Sequence, residues 1–373
     1  MIDPPPEVKR KPYAATIVFV VRSLPGAFCK ETKATVSIAE PHFQIAREML
    51  PAIPVHDVGT DFGFATVVME PSRVNQLLDE ASHGLPRGGL VLADKISRAW
   101  LAGNAHPYLG EIDRIARQIR RPGGHFFNVH YEWGCTTGVK TSPDGRSARL
   151  LRVLDWRTKG LGRNIIAARI ACPLGRYTAL TWPGFTGVLQ AVAPGRFAAA
   201  LNQAPMAIPV GLMPVDWALN RFKVWRRPHL TPAHLLRQVF ERARTFTEAR
   251  AMLIETPLSV PTIYTLAGLE PGEGAVIERL EEEANVLPGE ACAVNAWSKP
   301  EWRGRARGPD NPGRRNAMAG LDADATFDLA WLRPPVLNYT TRLAMMADAK
   351  TGELIAQGYE ADGPATTELR LAG

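Results

Sequence analysis

The 373-residue sequence has only four cysteines, Cys29, Cys135, Cys172 and Cys292, and no two share a C-x-x-C spacing. That excludes a zinc-knuckle pattern and gives a disulfide framework no support, so a reducing compartment is expected. The eight histidines form no H-E-x-x-H or similar ligand pattern, and their default reading, His125 and His130 included, is structural or surface. No metal and no cofactor is therefore expected. The longest early apolar run, Ala14–Val21, falls far short of the ~20 residues of a membrane span. It follows a proline-rich, acidic start instead of a short basic one, and no small-x-small site ends it, so it reads as a buried strand and not as a signal peptide. The chain also lacks internal repeats and low-complexity linkers.

What is present is a chain 46% hydrophobic and 22% charged with net charge +7, the profile of a globular protein large enough for one big domain or two ordinary ones. The cations are scattered, with two denser places: Arg221–Arg227, and Arg303–Arg307 with Arg314 and Arg315. Basic residues among aromatics can meet a polyanion or an anionic membrane, and a merely solvated face is the plainer reading. No nucleic-acid-binding motif accompanies them, so nucleic acid is not expected as a partner.

The stretch that carries chemistry is Glu132-Trp133-Gly134-Cys135-Thr136-Thr137-Gly138, followed by Arg152-Val153-Leu154-Asp155-Trp156. A thiolate is the reactive form of cysteine, and a nearby guanidinium stabilises that anion. If the Gly134–Cys135 bond is cut, the new α-amine of Cys135 has an ordinary pKa of about 7.7–8.0 and can serve as general base near neutrality. Asp155 could hold that amine, and Gly134 leaves the scissile carbonyl unshielded. Thr-Ser-Pro-Asp-Gly (141–145) reads as a turn joining strands Thr136–Lys140 and Ala148–Asp155, which would bring Arg152 and Asp155 back beside Cys135. The competing reading is a small buried hydrophobe at Cys135 and an ordinary surface pair at Arg152 and Asp155.

The N-terminal part reads as strands at Ala14–Val21, Ala34–Ile38 and Gly63–Val68, with helices at Phe43–Met49, Val74–Ala81, Lys95–Leu101 and Tyr108–Ile119. Phe126–Tyr131 reads as a strand. Beyond the hairpin, strands are expected at Arg163–Ala171, Tyr177–Thr181, Gly187–Val192, Arg196–Gln203, Pro261–Leu266, Gly274–Arg279 and Ala291–Asn295. Helices are expected at Asp216–Phe222, Pro232–Arg244, Thr247–Ile254 and Asp322–Leu329. Gly304–Gly313 reads as an exposed loop, and Arg342–Ala347 with Glu353–Tyr359 as a terminal hairpin. Asn202-Gln203, closing one strand, could be oxyanion or substrate contacts or simply turn residues. The outline, helical first and then rich in antiparallel strands, suits a layered α+β sandwich.

Six segments in register, spanning about residues 125–360, resemble the acid ceramidase and N-acylethanolamine acid amidase family. That family falls within the N-terminal-nucleophile hydrolases that also hold penicillin V acylase and bile salt hydrolase. The segments are Phe127–Glu132 with Cys135-Thr136-Thr137; Arg152–Trp156; Pro194-Gly195-Arg196-Phe197 with Leu201-Asn202-Gln203; Leu266-Ala267-Gly268 with Gly272–Arg279; Val294–Trp297 with Arg314-Arg315; and Pro335–Asn338 with Lys350-Thr351-Gly352. Residues 1–120 show no comparable match.

The resemblance implies a four-layered αββα sandwich after a partly helical N-terminal segment. It also implies a zymogen cut before Cys135 into residues 1–134 and 135–373. Cys135 would be nucleophile, Arg152 and Asp155 its orienting partners, Asn295 an oxyanion donor, and Arg314 or Arg315 a further active-site arginine. The substrate would be a small-molecule N-acyl amide, with an N-acyl lipid or fatty-acid amide first. Penicillin V, conjugated bile acids and acyl-homoserine lactones are the alternatives within the fold, and a non-catalytic lipid-binding relative or an acyltransferase are others. The chain departs from the family at Gln203, where the closest family members carry Glu, which puts an acidic pH optimum in doubt. It departs also at Gly134, which replaces a bulkier apolar residue. A bacterial-type cytoplasmic protein is the expected setting.

Overall fold

The computed structural model describes residues 50–130, 133–321 and 326–372. The elements expected at Ala14–Val21, Ala34–Ile38 and Phe43–Met49 lie outside these residues, as do Tyr131 and Glu132. The described chain opens with β1 (Val55–Val58) and the helices α1 (Phe62–Met69), α2 (Pro71–Ser82), α3 (Arg87–Gly103), α4 (Leu109–Ile119) and α5 (Phe126–Val129). Six strands follow: β2 (Gly134–Thr141), β3 (Ala148–Asp155), β4 (Ile166–Cys172), β5 (Gly175–Thr181), β6 (Gln190–Ala193) and β7 (Phe197–Gln203). Then come α6 (Met213–Trp225), α7 (Pro232–Arg242) and α8 (Phe246–Glu255), and β8 (Thr262–Ala267), β9 (Gly274–Arg279), β10 (Ala284–Pro288) and β11 (Cys292–Ala293). The chain ends with α9 (Asn311–Ala319), β12 (Thr341–Asp348), β13 (Leu354–Glu360), β14 (Gly363–Pro364) and β15 (Leu369–Leu371).

Two sheets result. One has eight strands in the order β1-β4-β5-β6-β7-β8-β9-β10, and the other runs β11-β2-β3-β12-β13-β14 with β15 beside β13. Every pairing is antiparallel except β1 with β4, so the part of the chain before Cys135 supplies a parallel edge strand. The alternation along the smaller sheet divides its side chains cleanly between two layers, as a two-residue period requires. Cys135, Leu150, Leu154, Leu343 and Met345 join the core shared with the larger sheet, whereas Leu151, Val153, Ala344 and Met346 pack with Met318 of α9. On the far side of the larger sheet, Phe240 of α7 packs on Tyr177 and Phe197, and Tyr264 Oη donates to the Pro232 carbonyl. The chain is thus an α+β sandwich of four layers: α7 and α8, the larger sheet, the smaller sheet, and α9.

Four expectations are overturned. Gly63–Val68 is helical, not a strand. Its β-branched residues favour strands, but Phe62, Gly63, Thr66 and Val67 share one buried helical face, and Thr66 Oγ1 donates to Phe62 O one turn back. Tertiary packing decides here, because a Cβ on Gly63 would come within 2.8 Å of Thr186 and 2.9 Å of Glu111. Phe126–Val129 is a single helical turn, not part of a strand. The Asp94 carboxylate accepts hydrogen bonds from the backbone nitrogens of Gly123, His125 and Phe126 and so satisfies the free donors at its start. The Gly304–Gly313 stretch is not wholly an exposed loop: α9 begins inside it at Asn311, which is buried. Asp310 caps that helix through Gly313 N at 3.0 Å, with Pro312 in the first turn. Of the helix expected at Asp322–Leu329, the described residues Thr326–Leu329 are not helical.

Candidate active site

Cys135 is the second residue of β2 and is fully buried. Its strand pairs with β3 so that Gly134 faces Asp155, Cys135 faces Leu154 and Thr137 faces Arg152. Arg152 and Asp155 are three residues apart on one strand, so they project to opposite faces of the sheet. They serve different sides of Cys135.

On the inner face, Arg152 is enclosed between the sheets. Its Nη1 donates to Asn202 Oδ1 at 2.7 Å and its Nε to Gln190 Oε1 at 3.3 Å, while Nη2 has no hydrogen-bond partner among the described residues. Asn202 in turn donates through Nδ2 to Thr137 Oγ1 and the Ala293 carbonyl. Its amide is therefore fully engaged in holding Arg152. Burial pushes the Cys135 thiol up to about 11, against the downward pull of Arg152. The guanidinium moderates the effect of burial without overcoming it.

On the outer face, Arg314 of α9 grips the main chain. Its Nη1 donates to Cys135 O at 2.7 Å, Thr136 Oγ1 at 2.9 Å and Asp155 Oδ2 at 3.2 Å, and its Nη2 donates to Asn311 Oδ1 at 3.0 Å. The Arg314–Asp155 pair has essentially no exposure, and burial pushes the Asp155 carboxyl up while Arg314 draws it down. Asp155 Oδ1 also accepts from Thr341 Oγ1 and Asn338 Nδ2. Arg315 points elsewhere, to the Ala296 carbonyl, so of the two arginines it is Arg314 that reaches the cysteine.

Asn295 completes the ring. Its Oδ1 accepts from Cys135 N at 2.5 Å, its Nδ2 donates to Gln203 O at 2.8 Å, and its own N donates to Asn311 Oδ1. In the uncut chain Asn295 thus holds the very nitrogen that cleavage would turn into an α-amine. Gln203 Oε1 accepts from Trp133 N at 2.8 Å, which ties the end of β7 to the residue before Gly134.

The structure therefore brings Cys135, Gly134, Arg152, Asp155, Asn295, Arg314 and Asn202 into one buried cluster, with the half-buried Gln203 at its edge. Sequence reasoning missed Gln190, Asn311, Asn338 and Thr341. Asn338 lies in the quoted Pro-Val-Leu-Asn segment and Asn311 one residue past a capping aspartate, so both had a local signal; Gln190 and Thr341 had none.

No family model matches the chain. Among curated proteins it is similar to the acid ceramidase of Heterocephalus glaber, 28% identical over 338 residues, covering 82% of this chain and 83% of that protein. It is also similar to the acid ceramidase of Bos taurus, 26% identical over 228 residues; there the chain spans 56% of the relative's length. The N-acylethanolamine-hydrolyzing acid amidase of Caenorhabditis elegans is 29% identical over 176 residues, 46% of each chain. The solved structure of an N-acylethanolamine-hydrolyzing acid amidase ortholog from Caenorhabditis elegans aligns over 64% of this chain and all of its own, with a TM-score of 0.48 and 24% identity. In sequence, then, the chain is similar to acid ceramidases and to an N-acylethanolamine-hydrolyzing acid amidase.

Proposed function

We propose that this chain is a self-processing cysteine amidohydrolase that cleaves a linear amide, with an N-acyl lipid or fatty-acid amide as its substrate class. The observation that carries the reading is the enclosure of one cysteine. Arg152 stands on the side-chain face, Asn295 holds the main-chain nitrogen, and the Arg314–Asp155 pair holds the carbonyl side. The names of the sequence relatives, acid ceramidase and N-acylethanolamine-hydrolyzing acid amidase, support amide chemistry.

The proposed processing step converts residues 1–373 into fragments 1–134 and 135–373. Sγ of Cys135 attacks the Gly134 carbonyl carbon and the amide C–N bond breaks. The thiol proton passes to the departing nitrogen, which becomes the α-amine of Cys135, and Gly134 is left as a thioester. Water cleaves that thioester, restoring the thiol and leaving a carboxylate on Gly134. The freed amine, ordinarily near 7.7–8.0, can then take up the thiol proton as the sulfur attacks a substrate amide. Substrate hydrolysis repeats the sequence: a thioester forms, the amine product leaves, and water releases the acid. Gln190 and Asn202 keep Arg152 in place through both steps.

A lipid substrate requires access to a membrane, and α6 supports that part of the reading. Leu212, Val215, Trp217, Phe222 and Trp225 are all exposed. Between Gln203 and Gln238 the one acidic residue is Asp216, and it is buried, accepting from the backbone of Val210 and Gly211. The surrounding charges are Arg221, Lys223 and Arg226, with Arg226 stacked 4.2 Å from the centre of the Phe222 ring. Apolar side chains fringed by cations fit an anionic bilayer, where each Lys or Arg near the surface contributes about 1 kcal/mol. Met206, seven residues before α6, exchanges backbone hydrogen bonds with Arg305, and Arg307 donates to Ala204 O, so the Arg303–Arg307 segment lies against the chain that leads from Gln203 into α6.

The test is turnover of an N-acylethanolamine and a ceramide by wild-type protein beside Cys135→Ala. The expected result is acid and amine release by the wild type alone, with a thioester on Cys135 trapped at low pH. Release at equal rates by both proteins would overturn the reading.

A further inference from the structure

Trp133 is two residues before the nucleophile and only 5% exposed, in the same buried cluster as Cys135, Leu154 and Trp182. Its ring centroid lies 5.1 Å from that of Trp156, and Trp156 meets Trp182 edge-on at 5.8 Å. Trp182 is itself fixed by Nε1, which donates to the Leu161 carbonyl at 2.8 Å. Three indoles in successive contact beside a buried nucleophile form an aromatic slot with Trp133 at one end. Gly134, between Trp133 and Cys135, faces the other way: a Cβ there would lie 3.3 Å from the Asp155 side chain and 3.4 Å from the Gly308 backbone.

This inference rests on the reading of Cys135 as a self-processing nucleophile. In the thioester formed by self-processing, the acyl group on Sγ ends in Trp133-Gly134, so this segment is the first acyl group the cysteine carries. The indole of Trp133 is the apolar body of that group, a few bonds from the reacting carbonyl. We infer that Trp133 occupies, in the uncut chain, the subsite that receives the apolar acyl group of the substrate, and that Trp156 and Trp182 form its floor. Hydrolysis of the thioester leaves a carboxylate on Gly134 beside the buried carboxyl of Asp155. Two like charges at such separation in a buried site are costly, which favours withdrawal of the Trp133-Gly134 end and opens the slot.

The test separates occupancy of the slot from cleavage. In full-length Cys135→Ala, which does not depend on processing, octanoate binding is measured by isothermal titration calorimetry with and without Trp133→Ala. Removing the indole from a packed apolar site leaves a vacancy that takes up an apolar ligand. The expected result is octanoate affinity at least tenfold tighter in Cys135→Ala/Trp133→Ala than in Cys135→Ala, with Trp156→Ala added to the double variant reversing the gain. Equal affinity in the first two proteins, or no binding by a double variant with an intact thermal transition, would overturn the inference. Should the double variant not fold, Trp133→Leu gives a smaller vacancy and the same readout. Failure of the wild type to cut itself would sink the processing reading and leave this binding result standing.

Discussion

Two regions of this chain break the usual distribution of polar and apolar groups, in opposite directions. Around Cys135 the protein buries Arg152, Asp155, Asn202, Asn295 and Arg314, and along α6 it exposes Leu212, Trp217, Phe222 and Trp225. The first region is nearly saturated with hydrogen bonds, because a buried ionised group without partners costs several kcal/mol. The second leaves large apolar side chains exposed among the described residues, with only the guanidiniums of Arg221 and Arg226 stacked on Trp217 and Phe222. A core of ordinary aliphatic residues would serve the sandwich as well as the charged cluster does, and a polar α6 would be as soluble. Neither feature is explained by folding alone; under the proposed function the first would meet a reacting amide and the second a bilayer.

The comparison is broken most severely at the buried pair. Arg314→Met should destabilise the fold by about 3–5 kcal/mol, because it leaves Asp155 without its counter-charge. Arg314→Met/Asp155→Leu should recover part of that loss in urea titration; no recovery in the double variant would mean that the pair is not the structural unit described. Asn295→Ala removes the acceptor of Cys135 N and is expected to slow processing about 10–10²-fold, the equivalent of about 1–3 kcal/mol for a buried donor left unpaired, read from the rate of fragment appearance. An unchanged rate would remove Asn295 from the mechanism.

The third prediction concerns pH. Burial, with Arg237 adding to it, lowers His106 to about 4, and burial with Arg221 and Arg307 lowers His130 to about 3. Both would titrate near 6.5 when unfolded, so as pH falls the unfolded chain takes up protons first. Stability should be full above about 6.5 and decline steadily toward pH 4, by at most about 3 kcal/mol for His106. Urea titrations at pH 7.5, 5.5 and 4.5 measure it, and a flat profile would contradict the neutral buried histidines.

The smallest effect on the fold is expected at the exposed face. Trp217→Ser/Phe222→Ser should leave stability within about 0.5 kcal/mol of wild type. It should nonetheless abolish co-sedimentation with phosphatidylserine-containing vesicles, since each large apolar side chain contributes roughly 1.5–3 kcal/mol on burial. Binding that ignores both the substitutions and the anionic lipid content would remove α6 from the account.

The β2–β3 hairpin was legible because its signal is local: the turn residues Thr-Ser-Pro-Asp-Gly (141–145) between two short runs free of proline. That Arg152 and Asp155 take opposite faces was also written in their three-residue spacing, although the sequence reading grouped them. The cap and first-turn proline of α9, Asp310 and Pro312, were visible, but the glycine-rich run before them masked a helix that delivers Arg314. Gln190 and Thr341 were not legible, since each reaches the site from a distant strand and nothing local marks it. The segment Gly63–Val68 misled because its residues favour strands, while the groups that make it a helix, Glu111 and Thr186, lie far along the chain.

The central claim is that Cys135 cuts the bond before itself. Intact mass spectrometry of the wild-type protein beside Cys135→Ala tests it directly. Scaling 40.8 kDa by 134/373 gives fragments of about 15 and 26 kDa for cleavage at Gly134–Cys135. The account predicts those two masses from the wild type and a single chain from Cys135→Ala. Cleavage at the same bond in both proteins would contradict it, and so would a wild type that stays whole from pH 4.5 to 8.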